Sequence, residues 1–375
     1  MAELVVPFGS LTDEQKKIVE DATNNHEWLF IEGPPGSGKT CISLHIVRSL
    51  IGREVVKPLV LIYNNSLLGY LKSSFEKLGI TDNITIDTKD KFFWSLRKQY
   101  QIPVNFDDPY ELKRRQILEG LISKKIDLEY SIILLDEIQD FTELEWKFLS
   151  RLSRRFILLG DFEQRIYNSD LSKSTILSVT QPKVLAKIFR FGSAIAEWVQ
   201  KFSKSKVDLV SKVNTTGGVK PIAIVCDNPS VENEEIAKII EARRNDGERL
   251  AVISINKNRL AEVHKYLTSK GINHFYSSDP AAFRDLDFSK NDPILITSAS
   301  AKGLEFYSVI VTGFDSESPA VMGFRANGGF EENIYVCLSR ATKHLFVLQN
   351  PNTVNELKDL SSSATVEKDE ESDWF

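Results

Sequence analysis

Ten short stretches of this chain are rich in β-branched and aliphatic residues, and that pattern restricts the fold more than any other feature. The first five are WLFIEG (28–33), PLVLIYN (58–64), NITIDT (83–88), SIILLDE (131–137) and RFILLGD (155–161). The second five are PIAIVC (221–226), RLAVISIN (249–256), PILITSA (293–299), SVIVTGF (308–314) and HLFVLQN (344–350). A strand wetted on one face alternates apolar and polar residues, whereas a continuous run needs both faces covered, as in a parallel sheet between helices. Helical segments separate the runs. One is TDEQKKIVEDAT (12–23), opened by Thr12 with Gln15 three residues on in the capping-box pattern. Others run from Thr40 to about Ile51, Leu67 to Leu78, Tyr110 to Ser123 and Glu232 to Arg244. The alternation predicts an α/β protein with largely parallel sheets in two groups of strands. A break near 171–183 places one domain over 1–180 and a second over 181–352, with a disordered acidic tail over 353–375.

A length of 375 residues accommodates two such cores. With 42% hydrophobic and 26% charged residues, the composition is that of a soluble globular protein, and no apolar run reaches membrane-spanning length. The start, MAELVVPFGSLTDEQ, lacks the basic and hydrophobic blocks of a signal peptide. Three widely spaced cysteines (Cys41, Cys226, Cys337) suggest neither a disulfide framework nor a metal cluster, and a cytoplasmic location is expected. Of the net charge of −5, the last fifteen residues carry five acids against one Lys, or −4. The rest is near neutral, which excludes a globally basic nucleic-acid binder but leaves room for a positive groove.

Between the first run and the helix after it lies Gly33-Pro34-Pro35-Gly36-Ser37-Gly38-Lys39-Thr40, which satisfies G-x-x-x-x-G-K-T in a strand–loop–helix setting. Glycines let backbone N–H groups converge on phosphate oxygens, assisted by the positive end of the helix. Lys39 is then expected to reach the β- and γ-phosphates of ATP, and Thr40 to ligate Mg²⁺. Such a site needs a second strand end with an Asp for the metal and an acid to activate water. SIILLDE supplies Asp136 as metal partner and Glu137 as general base.

The continuation DEIQD resembles the second motif of the UvrD/Rep-like superfamily 1 helicases, and other motifs follow in that family's order. LTDEQKK resembles its adenine-reading Gln element, with Gln15 making the contacts. ILLGDFEQRIY (157–167) resembles the third motif, which would place Gln164 at the γ-phosphate and Tyr167 against a nucleic-acid base. IFRFGSAI (188–195) is similar to the Tyr-Arg motif, with Phe189 in the Tyr place and Arg190 matching the Arg. TSASAKGLEF (297–306) and YVCLSRATK (335–343) resemble the last two motifs, the latter with Arg340 as its Arg. The resemblance spans roughly residues 11–350. It implies two RecA-like lobes with ATP in the cleft between them, and Arg190 and Arg340 as arginine fingers, a device worth ~10³–10⁵ in rate. Gln139 and Gln164 would be polar sensors of the nucleotide, and Glu305 would meet the ribose. Single-stranded nucleic acid, DNA rather than RNA, would touch Asn65, Ser66, Thr88, Tyr167 and Thr297. The stretch KFFWSLRKQY (91–100) reads as an amphipathic segment with Phe92, Phe93 and Trp94 in the core, strand contact being the alternative.

The sequence departs from the family in three places. The motif-five His is Ala299, Phe189 lacks the hydroxyl of Tyr, and the inserted subdomains have no room. About 55 residues separate Phe75 from Ser131, and about 105 separate Arg190 from Thr297. ATP hydrolysis and lobe closure are expected to survive; processive unwinding does not follow. The tail ends in acids followed by Trp374-Phe375, similar to the tip of bacterial single-stranded-DNA-binding proteins, and could dock a protein partner; a solubilising end is the simpler reading. The rival to a translocating ATPase is an ATP-switched clamp on a strand or protein, as in a subunit of a defence or repair complex.

Overall fold

The computed structural model describes residues 6–51, 57–77, 79–80, 84–126, 128–164, 169–204, 208–244, 249–279, 282–283, 286 and 291–361. It divides into two compact units, residues 2–186 and 187–375.

The first unit runs α1 (Asp13–Asn24), β1 (Leu29–Glu32), α2 (Lys39–Ile51), β2 (Pro58–Ile62), α3 (Asn65–Lys77), β3 (Thr85–Thr88), α4 (Lys89–Gln99), α5 (Tyr110–Ser123), β4 (Ile132–Leu135), α6 (Glu143–Leu149), β5 (Phe156–Gly160), α7 (Lys173–Leu177) and β6 (Gln181–Val184). Its six strands are parallel, in the order β3-β2-β4-β5-β1-β6. The central strands β2, β4 and β5 are buried at every position, which is why their sequences do not alternate. Phe92 and Phe93 join the core formed by Phe30, Leu61, Ile133, Leu135 and Phe156, as the amphipathic reading of that segment expects. Trp94 is half-buried against the same cluster. The expected box at α1 is present: Thr12 Oγ1 accepts from the Gln15 N–H at 3.2 Å, and Gln15 Oε1 from the Thr12 N–H at 3.0 Å.

The second unit runs α8 (Ser193–Val199), β7 (Ile222–Val225), α9 (Pro229–Arg244), β8 (Leu250–Ser254), α10 (Lys257–Ser269), β9 (Phe275–Tyr276), β10 (Ile294–Thr297), α11 (Ser298–Ala301), β11 (Phe306–Val311), α12 (Pro319–Ala326), α13 (Phe330–Leu338), β12 (Ala341–Gln349) and α14 (Asn355–Ser361). Its strands are again parallel, in the order β7-β12-β11-β8-β10-β9. All ten apolar runs are therefore strands, and the α/β class with two parallel sheets is as expected.

Two strands were not expected. Both β6 and β9 are edges, and an edge needs no continuous apolar run; β6 even carries Pro182 and is mostly exposed. Because β6 pairs with β1 from Leu29↔Gln181 to Glu32↔Val184, the first unit extends past residue 180 to Ala186. The tail expectation is corrected at its start. Residues 355–361 form α14, and Val354, Leu357 and Leu360 are buried, so three apolar residues at helical spacing anchor what reads as a polar segment. Residues 362–375, with the acids and Trp374-Phe375, lie outside the described residues. No helix among the described residues is long and apolar enough to cross a membrane.

Candidate nucleotide-binding site

In a parallel sheet the carboxyl ends of all strands share one edge, where ligands of open α/β folds bind. The loop Gly33–Gly38 leaves β1 at that edge and feeds α2. Gly36 and Gly38 adopt φ of 75° and 90°, left-handed values that turn the loop back on itself. Gly38 is also a close approach: a Cβ there would lie 2.7 Å from Gln15 Nε2. Gln15 is buried and donates that Nε2 to the Ser37 carbonyl at 3.1 Å, so the capping box of α1 also braces the phosphate loop. Lys39 is buried, its Nζ donating to the carbonyls of Gly33 (2.6 Å) and Pro34 (3.2 Å). Ser37 Oγ is buried without a hydrogen-bond partner. A polar atom in that position, within a loop of left-handed glycines beside a lysine, fits an anionic phosphate.

The carboxylates stand two strands away, since β5 separates β1 from β4. At ~4.8 Å per strand the two ends are ~10 Å apart. Asp136 and Glu137 are both buried, an arrangement that costs free energy unless the charges are bonded. Asp136 Oδ1 accepts from the Glu137 N–H at 2.9 Å. Glu137 sits in the left-handed region (φ 53°, ψ 49°), a conformation that costs a β-substituted residue about 1–3 kcal/mol and is typically held by its surroundings at functional sites.

Gln139 does that holding. Fully buried, it donates Nε2 to Glu137 Oε2 and accepts at Oε1 from the Asp161 N–H at 3.1 Å. Gln164 Nε2 in turn donates to Asp161 Oδ2 at 3.0 Å. One chain of bonds thus joins Glu137, Gln139, Asp161 and Gln164 across β4 and β5. Gly160 makes room for it: a Cβ there would meet Ile138 Cγ2 at 2.7 Å and Gln139 Oε1 at 2.8 Å. Gln139 and Gln164 are expected from the sequence, whereas Asp161 and Gly160 are not, although LLGD repeats the apolar-run-then-Asp signal of SIILLDE. As oxygen donors Thr40 and Asp136 suit Mg²⁺, which keeps several waters and takes few protein ligands. Among the described residues no cluster of three or more His, Cys, Asp or Glu could hold a metal ion.

Of the residues expected to touch nucleic acid, Asn65 begins α3 and is half-buried; the side chain of Ser66 and all of Tyr167 lie outside the described residues. Thr88 is buried as the cap of α4, accepting from the Lys91 N–H at 3.4 Å. The next residue, Lys89, is also buried, with Nζ donating to the Asp140 carbonyl at 2.7 Å and pairing with Glu145 at 3.3 Å. It lies over the rings of Tyr63 and Phe141, 4.7 and 4.8 Å from their centres. Arg114 from α5 closes the cluster on Glu145. Burial pushes the Lys89 pKa down, with Glu145 opposing. Burial would likewise raise Glu145, but Lys89 and Arg114 outweigh it and hold its carboxyl below the usual range.

In the second unit the structure brings Arg190, Glu305 and Arg340 together. Arg340 is buried, its guanidinium donating to the Val336 carbonyl (3.0 Å), the Leu304 carbonyl (3.2 Å) and Ser339 Oγ (2.9 Å). Arg190 donates to Glu305 Oε2 at 3.1 Å and to the Ser339 carbonyl at 3.2 Å. Phe189 beside it is exposed. Thr297 ends β10 and caps α11, accepting from the Ser300 N–H at 3.2 Å. Thr297 and Ser300 also line a hollow of about 50 Å³ with Lys257, Tyr276 and Ser277.

Residues 15–170 match the model of an AAA domain. No curated protein matches the chain. Among solved structures, the C-terminal domain of a possible DNA helicase from Lactobacillus plantarum WCFS1 is similar over 45% of this chain and 91% of its own, at 17% identity and a TM-score of 0.36. Arterivirus nonstructural protein 10 (helicase) is similar over 89% of this chain and 62% of its own, at 14% identity and a TM-score of 0.43. The PRRSV helicase is similar over 89% and 54%, at 15% identity and a TM-score of 0.42. The chain spans less than two thirds of the length of each viral helicase. The AAA-domain match contains the glycine-rich loop, Asp136, Glu137, Gln139 and Gln164, which supports the nucleotide-binding, P-loop reading of the first unit.

Proposed function

We propose that this protein is a Mg²⁺-dependent ATP hydrolase of the UvrD-like superfamily 1 helicase type, stimulated by single-stranded nucleic acid, DNA rather than RNA, which it moves along or remodels. The observation that carries the reading is the bonded series Glu137–Gln139–Asp161–Gln164, set at the same sheet edge as a glycine-rich loop with a buried lysine. A solvated strand-end carboxylate would need no such support.

The backbone N–H groups of Gly36, Ser37, Gly38 and Lys39 and the Lys39 ammonium bind the phosphates, with Thr40 and Asp136 as the protein's metal ligands. Bound there, Mg²⁺ supplies positive charge to the phosphate oxygens. Glu137 takes the proton of the attacking water, and Gln139 keeps that carboxylate aimed through the transition from bound water to product. Gln164, Arg190 and Arg340 serve the γ-phosphate, Gln15 and Phe189 the adenine, and Glu305 the ribose. The strand is contacted by Asn65, Ser66, Tyr167 and Thr297, whereas Thr88, buried as the cap of α4, is not placed to reach it. Ala299 and the short spacing between motifs favour one second reading, an ATP-switched clamp that hydrolyses without directional movement.

Steady-state ATPase activity with and without single-stranded DNA or RNA tests the proposal. The wild type should be stimulated by single-stranded DNA more than by RNA. Glu137→Gln should lower the stimulated rate by about 10²–10⁴-fold, the usual contribution of a general base. Hydrolysis that ignores both strands would overturn the nucleic-acid part; hydrolysis indifferent to Glu137→Gln would overturn the chemistry. Stimulated turnover without displacement of a blocked strand would select the clamp.

A further inference from the structure

At motif five the His expected of the family is Ala299, which has no polar side chain to pass on what happens at Thr297. The residue between them supplies a different connection. Ser298 is 1% exposed and its hydroxyl donates to Asn333 Oδ1 at 2.6 Å; Asn333 is fully buried. Asn333 Nδ2 donates to the Gly329 carbonyl at 2.7 Å, which fixes the amide with its oxygen toward Ser298. Asn333 belongs to α13, and that helix leads through Ser339 into Arg340. The segment that begins at Thr297 is therefore attached at two points to the arginine-bearing element. Ser298 holds α13 near its start, and the Leu304 carbonyl holds the Arg340 guanidinium at its end. Glu305, the next residue, holds Arg190.

Both ends of this connection are buried, so neither polar group can exchange its partner for water without a penalty. A displacement of Thr297 or α11 must carry α13 with it or break the bond. We propose that the Ser298–Asn333 bond conveys strand engagement at Thr297 to Arg190 and Arg340, so that Ser298 and Asn333 are positioning residues for strand-stimulated hydrolysis. The inference rests on the ATPase reading above. Neither residue touches nucleotide or strand; both act by setting α13 and the arginines that follow.

The test is a double-mutant cycle in the full chain: Ser298→Ala, Asn333→Ala and the pair, each assayed for ATPase with and without single-stranded DNA. A thermal melt verifies that each variant is folded. Basal hydrolysis should stay within about twofold, while the stimulation factor falls about five- to tenfold, the size expected for one buried hydrogen bond. The DNA concentration for half-maximal stimulation should not change. The double variant should lose no more stimulation than Ser298→Ala alone. Ser298→Thr, which retains the hydroxyl, should restore stimulation; a purely structural role would lower basal and stimulated rates together. Should Ser298→Ala fail to fold, Ser298→Cys carries the same test, since a thiol is a poor donor. Full stimulation in a folded Ser298 variant overturns the inference alone. A wild type that DNA does not stimulate overturns the reading beneath it and the inference with it.

Discussion

Each unit ends one strand in a threonine that caps the helix after it, and in each the next residue is buried and reaches another element. In the first unit Thr88 is followed by Lys89, whose ammonium holds the Asp140 carbonyl a few residues beyond Asp136 and Glu137. In the second, Thr297 is followed by Ser298, whose hydroxyl holds Asn333. The backbone device is the same and the chemistry differs. Lys89 is part of a buried charge cluster with Glu145 and Arg114, whereas the second link is neutral. A buried ion pair is strongly destabilised by loss of one partner, because a charge is left in a low dielectric; a neutral pair loses only a hydrogen bond and a desolvation term. The charged link therefore ties the DEIQD loop to α4 at a higher cost of breaking. The neutral one costs less to lose, yet burial keeps Ser298 and Asn333 bonded, so a movement of α11 is passed to α13.

The largest effect expected from this contrast is on stability. Lys89→Met removes the Asp140 carbonyl's donor and one of Glu145's two cationic partners, and should cost about 3 kcal/mol in denaturant unfolding. Ser298→Ala should cost about 1 kcal/mol. Equal costs would erase the distinction.

Next in size is a pH effect confined to the first unit. Glu145 has a depressed folded-state pKa, so its contribution is complete above its ordinary value of 4.5 and disappears as pH falls through the lower folded value. Glu145→Gln should thus be less stable than wild type at pH 7, and the gap should narrow once the pH drops below about 4.5. A gap independent of pH would mean that Glu145 acts through its cap to α6 rather than through charge.

The smallest effect should be shared. Thr88→Ala and Thr297→Ala each remove one helix cap, at about 1 kcal/mol apiece, and melts of the two variants should show matching losses. A much larger loss at one site would show that the two strand ends are not the same device.

Much of this was legible in advance because it is local. Continuous apolar runs specify doubly covered strands, a T-x-x-Q pattern specifies a capped helix start, and G-x-x-x-x-G-K-T specifies a loop that few other structures require. These follow from the chain's own periodicity and backbone sterics, so the ten strands, α1, α/β class and the glycine-rich loop could be read from residues alone. The edge strands β6 and β9 could not, since β6 is mostly exposed and carries Pro182 and β9 is only two residues long, so neither leaves an apolar run to read. Nor could α14, whose three buried residues matter only because β7 and β12 lie beneath them.

Tertiary structure alone decided which polar residues are inside. Lys89, Ser298 and Asn333 look in sequence like any solvated lysine, serine and asparagine, for burial and partnership depend on elements far along the chain. Glu145 finds Lys89 over a separation of 56 residues, and Asn333 finds Ser298 over 35. The same holds at the candidate site. Sequence placed Glu137 and Gln139 two residues apart, but the reach of Gln139 to Asp161 depends on β4 and β5 being neighbours, with Gly160 leaving the space. Spacing along a chain encodes local conformation; the low dielectric that gives a buried charge or hydrogen bond its strength exists only once the sheet and its helices have closed around it.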